Sequence, residues 1–189
     1  VVLSYGYGTW YTVIRDLSGG EPQAAAVPMP GEFRSGVVRG AFNPVDGQLY
    51  AVGLDGWGNY ASDDGCLSRV RYTGKPVHRP IGFQIFANGL RVYFPEALDA
   101  TTVADAQNYF AQMWNYEYGK QYGSPEYSVL QPEKLGHDSL AVRSARLLDG
   151  GRSIFVEIPG IQPAMQMHLR MHLRGKGGTP FKADLFPTI

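Results

Sequence analysis

The sequence has little cysteine, no net charge and no long apolar run, and each of these absences excludes a class of protein. Cys66 is the single cysteine among 189 residues, so the chain has no internal disulfide and no cysteine-based zinc site. Lysine plus arginine and aspartate plus glutamate both number 17, so no global basic field favours nucleic acid. No window approaches the ~18 consecutive apolar residues that a membrane span requires.

Catalytic sequence motifs are missing as well. The chain contains no GxSxG, HExxH, Walker or GxGxxG motif. Cys66 begins an apolar run with no recognisable base beside it, which is typical of a structural thiol. We therefore identify no self-contained active site and leave open whether the chain is part of an enzyme.

Glycine and proline are abundant, at 24 and 13 residues, and both recur at short intervals. The runs between them are rich in aromatic and β-branched residues, which is the pattern of many strands joined by tight turns. The stretch Arg39–Lys75 contains Asp-Gly pairs at 46–47, 55–56 and 64–65, where glycine supplies the positive φ of a reversed turn. Strands at this spacing predict one blade of a propeller or a similar meander.

The pattern of turns and apolar residues changes near residue 80, where we place a domain boundary. Beyond it, Asn88-Gly89 is a strong hairpin signal, and Ala164–Arg174 has the alternation of a long final strand. Apolar alternation and short turns favour a β-sandwich for this part of the chain. The sequence thus predicts an all-β fold with two regions: a propeller-blade-like antiparallel sheet at 1–79 and a β-sandwich at 80–189.

Methionine and histidine alternate within residues 165–174, a combination that suggests copper. On a strand, however, His168 and His172 would be roughly 13 Å apart at ~3.3 Å per residue, too far to bind one ion. The period of two places methionine and leucine on one face and histidine and arginine on the other. We predict a half-buried strand with a wet, basic face, and keep both histidines as metal candidates if another histidine or another chain completes the site.

Carboxylates cluster in the glycine-rich loop that follows residue 53. Asp55, Asp63 and Asp64 could supply oxygen ligands to Ca²⁺, although their spacing does not match a DxDxDG calcium loop. Solvated acidic turns explain the same pattern, since aspartate is common in tight turns. Calcium therefore stays a hypothesis for these three residues.

Aromatic residues form a second group of candidates. Such side chains stack on sugar rings or pack in protein interfaces. Alternation along one strand places three of them on a single face, where core or interdomain packing is the alternative to a ligand platform. The candidates for ligand binding are Trp57, Tyr60, Trp114, Tyr116 and Tyr118.

Several motifs carry a resemblance to a known family: RVRYTGKP at 69–76, QMWNYEY at 112–118 and YGSPEYSV at 122–129. Residues 36–76 resemble the closing segment of the β-propeller in large secreted bacterial proteins related to quinoprotein sugar dehydrogenases, which often carry a fused c-type cytochrome domain. The rest of the chain resembles the immunoglobulin-like module that follows that propeller. The resemblance covers nearly the whole sequence and implies an immunoglobulin-like β-sandwich for residues 80–189.

The resemblance implies little chemistry within this chain. In such proteins the quinone, the calcium and the catalytic base belong to earlier blades, and the haem belongs to a CxxCH domain. We therefore expect no quinone or haem here except in a parent protein, and we expect that protein to be secreted or periplasmic. No charged and apolar leader precedes Val1, and we expect the sequence to be part of a longer polypeptide.

Three functions remain as hypotheses. The first is a non-catalytic C-terminal accessory region that contacts the remaining propeller blades or other protein chains. The second is a contribution to a quinone- or haem-linked sugar oxidoreductase, or a carbohydrate-binding module with its ligand between the glycine-rich loop and the aromatic row. The third is a self-assembling surface or filament protein, because exposed sheet edges recruit strands from other chains.

Overall fold

The computed structural model describes residues 1–56, 58–120 and 122–189, with the backbone alone for Asp149. The predicted all-β fold with antiparallel sheets is confirmed. The strands are β1 (Val2–Ser4), β2 (Thr9–Asp16), β3 (Gln23–Pro28), β4 (Gly36–Phe42), β5 (Leu49–Leu54), β6 (Gly65–Val70), β7 (Gly82–Phe86), β8 (Gly89–Tyr93), β9 (Tyr109–Tyr116), β10 (Glu126–Tyr127), β11 (Asp138–Leu140), β12 (Ser144–Leu148), β13 (Ser153–Glu157), β14 (Gln166–Arg174) and β15 (Pro180–Pro187). Helix α1 is Ala100–Ala104, and 3-10 turns occupy Ala106–Asn108 and Asp149–Gly151.

The chain divides into two compact units whose boundary does not follow sequence order. The first unit is Val1–Val13 with Pro28–Pro76, and the second is Ile14–Val27 with Val77–Ile189. Strands β2 and β3 therefore each contribute residues to both units. The predicted regions 1–79 and 80–189 assign residues 14–27 to the N-terminal part, whereas this segment belongs to the second unit.

In the first unit, β4, β5 and β6 form a 3-stranded antiparallel sheet. Side chains alternate between the two faces along β5. Leu49 and Ala51 lie on one face and are buried, whereas Val52 and Leu54 lie on the other and are exposed. Leu67 on β6 is paired with Val52 and shares its exposed face. One face of this sheet is therefore covered, and the other is open to solvent.

Strand β1 approaches β4 closely at a glycine. A Cβ atom at Gly40 would lie 2.9 Å from Leu3 Cδ1 and 3.3 Å from Leu49 Cδ1, so a larger residue would push these side chains away. The register of β4 against β5 also shifts between Val37 and Arg39, which marks a β-bulge. Such bulges bend an edge strand and increase its twist.

Two antiparallel sheets enclose the core of the second unit. One has the order β12–β13–β8–β7, and the other has the order β3–β15–β14–β9–β10 with β11 also paired to β9. The buried cluster contains residues of both sheets, including Leu90 and Ile154 from the first and Met113, Leu169 and Leu185 from the second. This shared core is that of a two-layer β-sandwich.

The hairpin predicted at Asn88-Gly89 is present and joins β7 to β8. Gly89 is required there because a Cβ atom would lie 2.1 Å from the carbonyl oxygen of Val156 on the neighbouring strand β13. The glycine thus serves the turn and the close packing of β8 against β13 at once.

Helix α1 begins two residues earlier than the sequence predicts. The pattern predicts Thr101 as the N-cap, but the N-cap is Asp99, whose Oδ1 accepts the backbone N–H of Thr102 at 2.9 Å. The Thr101 hydroxyl also donates to Asp99 Oδ1, at 2.5 Å. Aspartate satisfies the free N–H groups of the first turn at least as well as threonine does.

The C-terminal part differs from the prediction in one strand. Residues Ala164–Arg174 were expected to form the final strand, but β14 is followed by β15, which lies between β14 and β3 in the sheet. The prediction was wrong here because β15 has proline at both ends, and proline is a signal for loops or edge strands. Within the described residues, no helix has the length and apolar character needed to cross a membrane.

Candidate functional site

The predicted calcium loop lies in the first unit, and its carboxylates have separate partners. Asp63 forms an ion pair with Arg34, with 2.8 Å between Oδ2 and Nε. Asp55 Oδ1 accepts the backbone N–H of Gly56 at 2.7 Å, and its own N–H donates to the carbonyl of Asp64 at 2.7 Å. Within the described ranges, no three potential ligands are grouped closely enough to hold a metal ion. The calcium hypothesis gains no support from this geometry.

The aromatic candidates of the same loop have different positions. Tyr60 stacks on Tyr7 with 5.2 Å between ring centroids, and both rings are exposed. The backbone N–H of Tyr60 donates to the carbonyl of Gly6 at 3.0 Å, which fixes the loop against the start of the chain. Trp57 lies outside the described residues. The Tyr7–Tyr60 pair therefore presents an exposed aromatic surface.

The aromatic row of the second unit is buried at one end. Trp114 is 8% exposed and stacks on His137 with 4.0 Å between centroids. The His137 Nε2 atom lies 2.6 Å from Glu126 Oε2, so the imidazole is held between a ring and a carboxylate. Tyr116 is partly exposed, and Tyr118, which follows the end of β9, is almost fully exposed. Trp114 is thus a packing residue in this structure, while the two tyrosines face solvent.

The two histidines of β14 differ in their exposure to solvent. The strand assignment and the alternation of buried methionines are as predicted, since Met167 and Met171 are fully buried. His172 is exposed, but His168 is only 7% exposed, so the prediction of a uniformly wet face is wrong at His168. Its ring lies 4.3 Å from the Phe186 ring and 5.7 Å from the Phe110 ring, centroid to centroid. Aromatic neighbours from β9 and β15 cover this histidine.

Asp184 on β15 is the charged partner of His168. Asp184 Oδ1 lies 2.7 Å from His168 Nε2 and accepts the Arg170 Nε–H at 2.8 Å, and Lys182 Nζ lies 3.6 Å from the other carboxylate oxygen. Burial raises the pKa of Asp184, but the hydrogen bonds from His168 and Arg170 and their charges outweigh burial and hold this pKa well below its usual range. The cluster fixes the orientation of His168, whose side chain is 9% exposed.

Cys66 has the environment of a structural thiol. The Ser35 hydroxyl lies 3.0 Å from its sulfur, and Ser35 itself is buried. A hydroxyl that donates to the sulfur is not a base, so this contact does not activate the thiol as a nucleophile.

A different feature of the first unit presents the clearest candidate interaction surface. We call it the open sheet face: Val52 and Leu54 on β5, Leu67 on β6, and the flanking Arg39 and Arg69. Its apolar members are 42%, 46% and 76% exposed, respectively. Antiparallel pairing aligns Arg39, Val52 and Leu67 in one row across the sheet, so the apolar side chains are contiguous.

The open sheet face also carries positive charge without matching carboxylates on the same rows. Arg39 Nη1 donates only a long hydrogen bond, 3.4 Å, to the carbonyl of Val38. Arg69 lies close enough to Asp46 to lower the pKa of that carboxyl, after the larger effect of the Gln48 backbone N–H. Within the part of the chain that the structure describes, neither arginine forms an ion pair. The Arg39 guanidinium therefore remains able to pair with a partner's carboxylate, whereas Asp46 partly offsets the charge of Arg69.

The sequence did not predict the open sheet face, although a signal for it exists. Strand β5 reads LYAVGL and is apolar on both faces, which is typical of strands that are buried on both sides. The apolar run was therefore the sequence signal for this surface. Combined with the knowledge that the strand is covered on one side only, it would have identified the exposed apolar side chains. Comparisons with protein-family models, with curated proteins and with solved structures gave no match for this chain.

Proposed function

We propose that this chain is a non-catalytic interaction region of a secreted, propeller-type bacterial protein, and that it docks on a neighbouring β-sheet through the open sheet face. The observation that carries the proposal is the exposed apolar surface of Val52, Leu54 and Leu67 on a sheet whose opposite face is buried at Leu49 and Ala51. Contiguous apolar surface of this kind marks interaction sites in soluble proteins.

The gain from docking is large enough to matter. Complete burial of a valine or leucine side chain stabilises a complex by about 1.5–3 kcal/mol. Leu67, at 76% exposed, retains most of that gain for a partner, and Val52 and Leu54 retain about half. Binding also costs rigid-body freedom, so three such side chains need polar contacts around them to give a stable interface.

Charge defines the partner that fits this surface. Arg39 and Arg69 flank the apolar row, and a partner with carboxylates at the matching positions would form charge-assisted hydrogen bonds with them. We therefore identify the occupant as an antiparallel sheet with an apolar centre and an acidic border. A neighbouring propeller blade of a parent protein is the partner of this kind that the resemblance suggests.

The two rival functions receive less support from the geometry. An oxidoreductase role needs a cofactor or an activated side chain, and neither the calcium loop nor the histidines of β14 form such a group among the described residues. Self-assembly through exposed sheet edges stays a hypothesis. Pairing of two copies through the open sheet face would bring like-charged arginines together, which disfavours that arrangement.

The experiment places a photoreactive amino acid at Leu67. The labelled chain is irradiated with the secreted proteins of the bacterium that encodes it, and crosslinked peptides are identified by mass spectrometry. We expect crosslinks to a β-propeller polypeptide, and we expect Val52→Asp in the same chain to lower their yield at least tenfold. The photoreactive residue placed at Val45, a turn position that is 91% exposed, is the matched control and should give no such crosslink.

Two results would contradict the proposal. Crosslinks between two copies of this chain, with a dimer in sedimentation velocity, would support self-assembly instead. Equal crosslinking from positions 67 and 45 would show that the open sheet face has no specific partner. Because Val52 and Leu67 are exposed, the variants should keep the parent melting temperature, which is checked first.

A further inference from the structure

The first unit contains an open cavity of about 360 Å³ beside the turn between β4 and β5. We call it the turn cavity, and its side chains come from three separate parts of the chain. Its volume lies within the range of roughly 300–1,000 Å³ that is usual for small-ligand sites. The residues that the argument uses are Trp10, Phe42, Asp46, Gln48, Arg71 and Tyr72. The sequence-based candidates include none of them.

Three aromatic side chains line the turn cavity. Trp10 is held in place because its indole Nε1–H donates to the carbonyl of Pro30 at 3.1 Å. Phe42 and Tyr72 are 60% and 76% exposed, which is unusual for rings that only serve packing. Aromatic faces carry partial negative charge and attract the partly positive C–H groups of a ligand. The cavity therefore offers stacking surfaces that are already in position.

Polar side chains line the same cavity, and one of them has an unmet hydrogen bond. The Asp46 carboxylate is fixed by the backbone N–H of Gln48 at 3.0 Å and by the Tyr50 hydroxyl at 2.9 Å. The Gln48 side-chain oxygen is shielded from solvent and accepts no hydrogen bond from the described residues. A buried acceptor without a donor is costly, so a rotamer that turns this oxygen into the cavity, where a ligand hydroxyl donates to it, would be favoured.

We propose that the turn cavity binds a neutral oligosaccharide. Sugar rings present C–H groups on one face, which suit Trp10 and Tyr72, and hydroxyl groups at the rim, which suit Asp46, Gln48 and Arg71. The cavity lining contains one carboxylate, Asp46, and one guanidinium, Arg71, and a neutral sugar can form hydrogen bonds with both. This site is separate from the open sheet face, because Phe42, Leu49 and Val70 lie on the opposite side of the sheet from Val52 and Leu67.

A proline-rich peptide is the other ligand that aromatic grooves commonly bind. Such a peptide has few N–H groups, so it leaves the Gln48 oxygen without a donor. It also makes little use of a fixed carboxylate and a guanidinium in the same cavity. The polar side chains therefore favour a sugar.

Binding is measured by isothermal titration calorimetry on the intact chain with cellotetraose, xylotetraose and mannotetraose. We expect saturable binding of at least one of these neutral oligosaccharides and weaker binding of tetragalacturonate. Tyr72→Ala should raise the dissociation constant about tenfold, which is the effect of losing one aromatic contact of roughly 1.4 kcal/mol. Gln48→Leu should weaken binding as well, and Leu67→Ala on the open sheet face is the control that should leave it unchanged.

The proposal is overturned if no neutral oligosaccharide binds, if binding is the same in Tyr72→Ala, or if a proline-rich decapeptide binds in place of the sugars. Trp10→Ala is a second test of the aromatic contacts. If the Trp10→Ala variant does not fold, the result with Tyr72→Ala alone decides. The crosslinking at Leu67 does not depend on any sugar, so failure of this proposal and failure of the proposed docking function give different results.

Discussion

Asp184 connects three side chains on the outer face of the second unit's larger sheet. It contacts His168, Arg170 and Lys182, and its own side chain is 12% exposed. Since the hydrogen bonds and charges of His168 and Arg170 lower the pKa of Asp184, the ionised carboxylate stabilises the folded state. This cluster and the burial of His168 give the imidazole a structural role in the sheet.

We predict that Asp184→Asn lowers the free energy of unfolding at pH 7 by about 1–3 kcal/mol, the usual value of hydrogen bonds to a charged group. The native pKa lies below the unfolded value of about 3.9, so the carboxylate's contribution is present above that value and is lost as the pH falls through the native pKa. The difference between parent and variant should therefore shrink at low pH.

Urea unfolding at pH 7 and at pH 3 measures the effect of Asp184→Asn, with Glu21→Gln in an exposed turn as the control. A variant as stable as the parent at pH 7, or a difference that grows toward low pH, would contradict the role given to Asp184. The control should lie within about 0.5 kcal/mol of the parent at pH 7.

At the scale of elements, neighbouring residues of β14 lie in opposite environments. Met171 is fully buried in the core, whereas the next residue, His172, is exposed on the other face. Met171→Ala should cost about 2–5 kcal/mol of unfolding free energy, the range for methionine to alanine in a core. His172→Ala should change it by less than about 0.5 kcal/mol. Denaturant unfolding of both variants measures this ratio, and similar losses would show that the alternation along β14 is not as described.

The strands that the sequence predicts well are those whose pattern is local. Strand β14 and the hairpin of β7 and β8 follow from alternation and from Asn88-Gly89, which act over a few residues. Strand β15 was missed because its prolines hide the alternation of Phe181, Ala183 and Leu185. The burial of His168 was missed for the same reason, since Phe186 on β15 covers it.

The candidate sites are less predictable because they depend on distant residues. Val52 and Leu67 become an exposed pair only through the register of β5 and β6 and the absence of cover on that face among the described residues. The turn cavity unites Trp10 with Tyr72, which no local pattern relates. Composition identifies such residues as apolar or aromatic, and tertiary structure decides whether they are core or surface.

At the scale of the molecule, the second unit includes residues 14–27 from the N-terminal part of the chain. Strand β3 pairs with β15 through Ala25 and Ala26, and Ala25 and Val27 are buried in the core of this unit. Asp16 Oδ2 also accepts the backbone N–H of Ile85 at 3.4 Å. The second unit is therefore incomplete when it is defined as the residues after 76.

We predict that a fragment of residues 77–189 is less stable than the same unit in the full chain and associates through the unpaired edge of β15. A synthetic peptide of residues 14–27 added in trans should raise its melting temperature and restore the monomer, and a scrambled peptide should do neither. Differential scanning fluorimetry and size-exclusion chromatography measure the two effects. A monomeric fragment that the peptide does not stabilise would contradict the role of residues 14–27.

The interleaved segment has a further consequence for how such a gene can be rearranged. A recombination event with a single crossover near codon 77 would transfer the larger part of the second unit without strand β3 and without the cover of β15's edge. A functional exchange of this unit alone would need three crossovers, before codon 14, after codon 27 and before codon 77, or would have to carry the first unit along with it. The path of the chain therefore favours joint inheritance of the two units as one cassette.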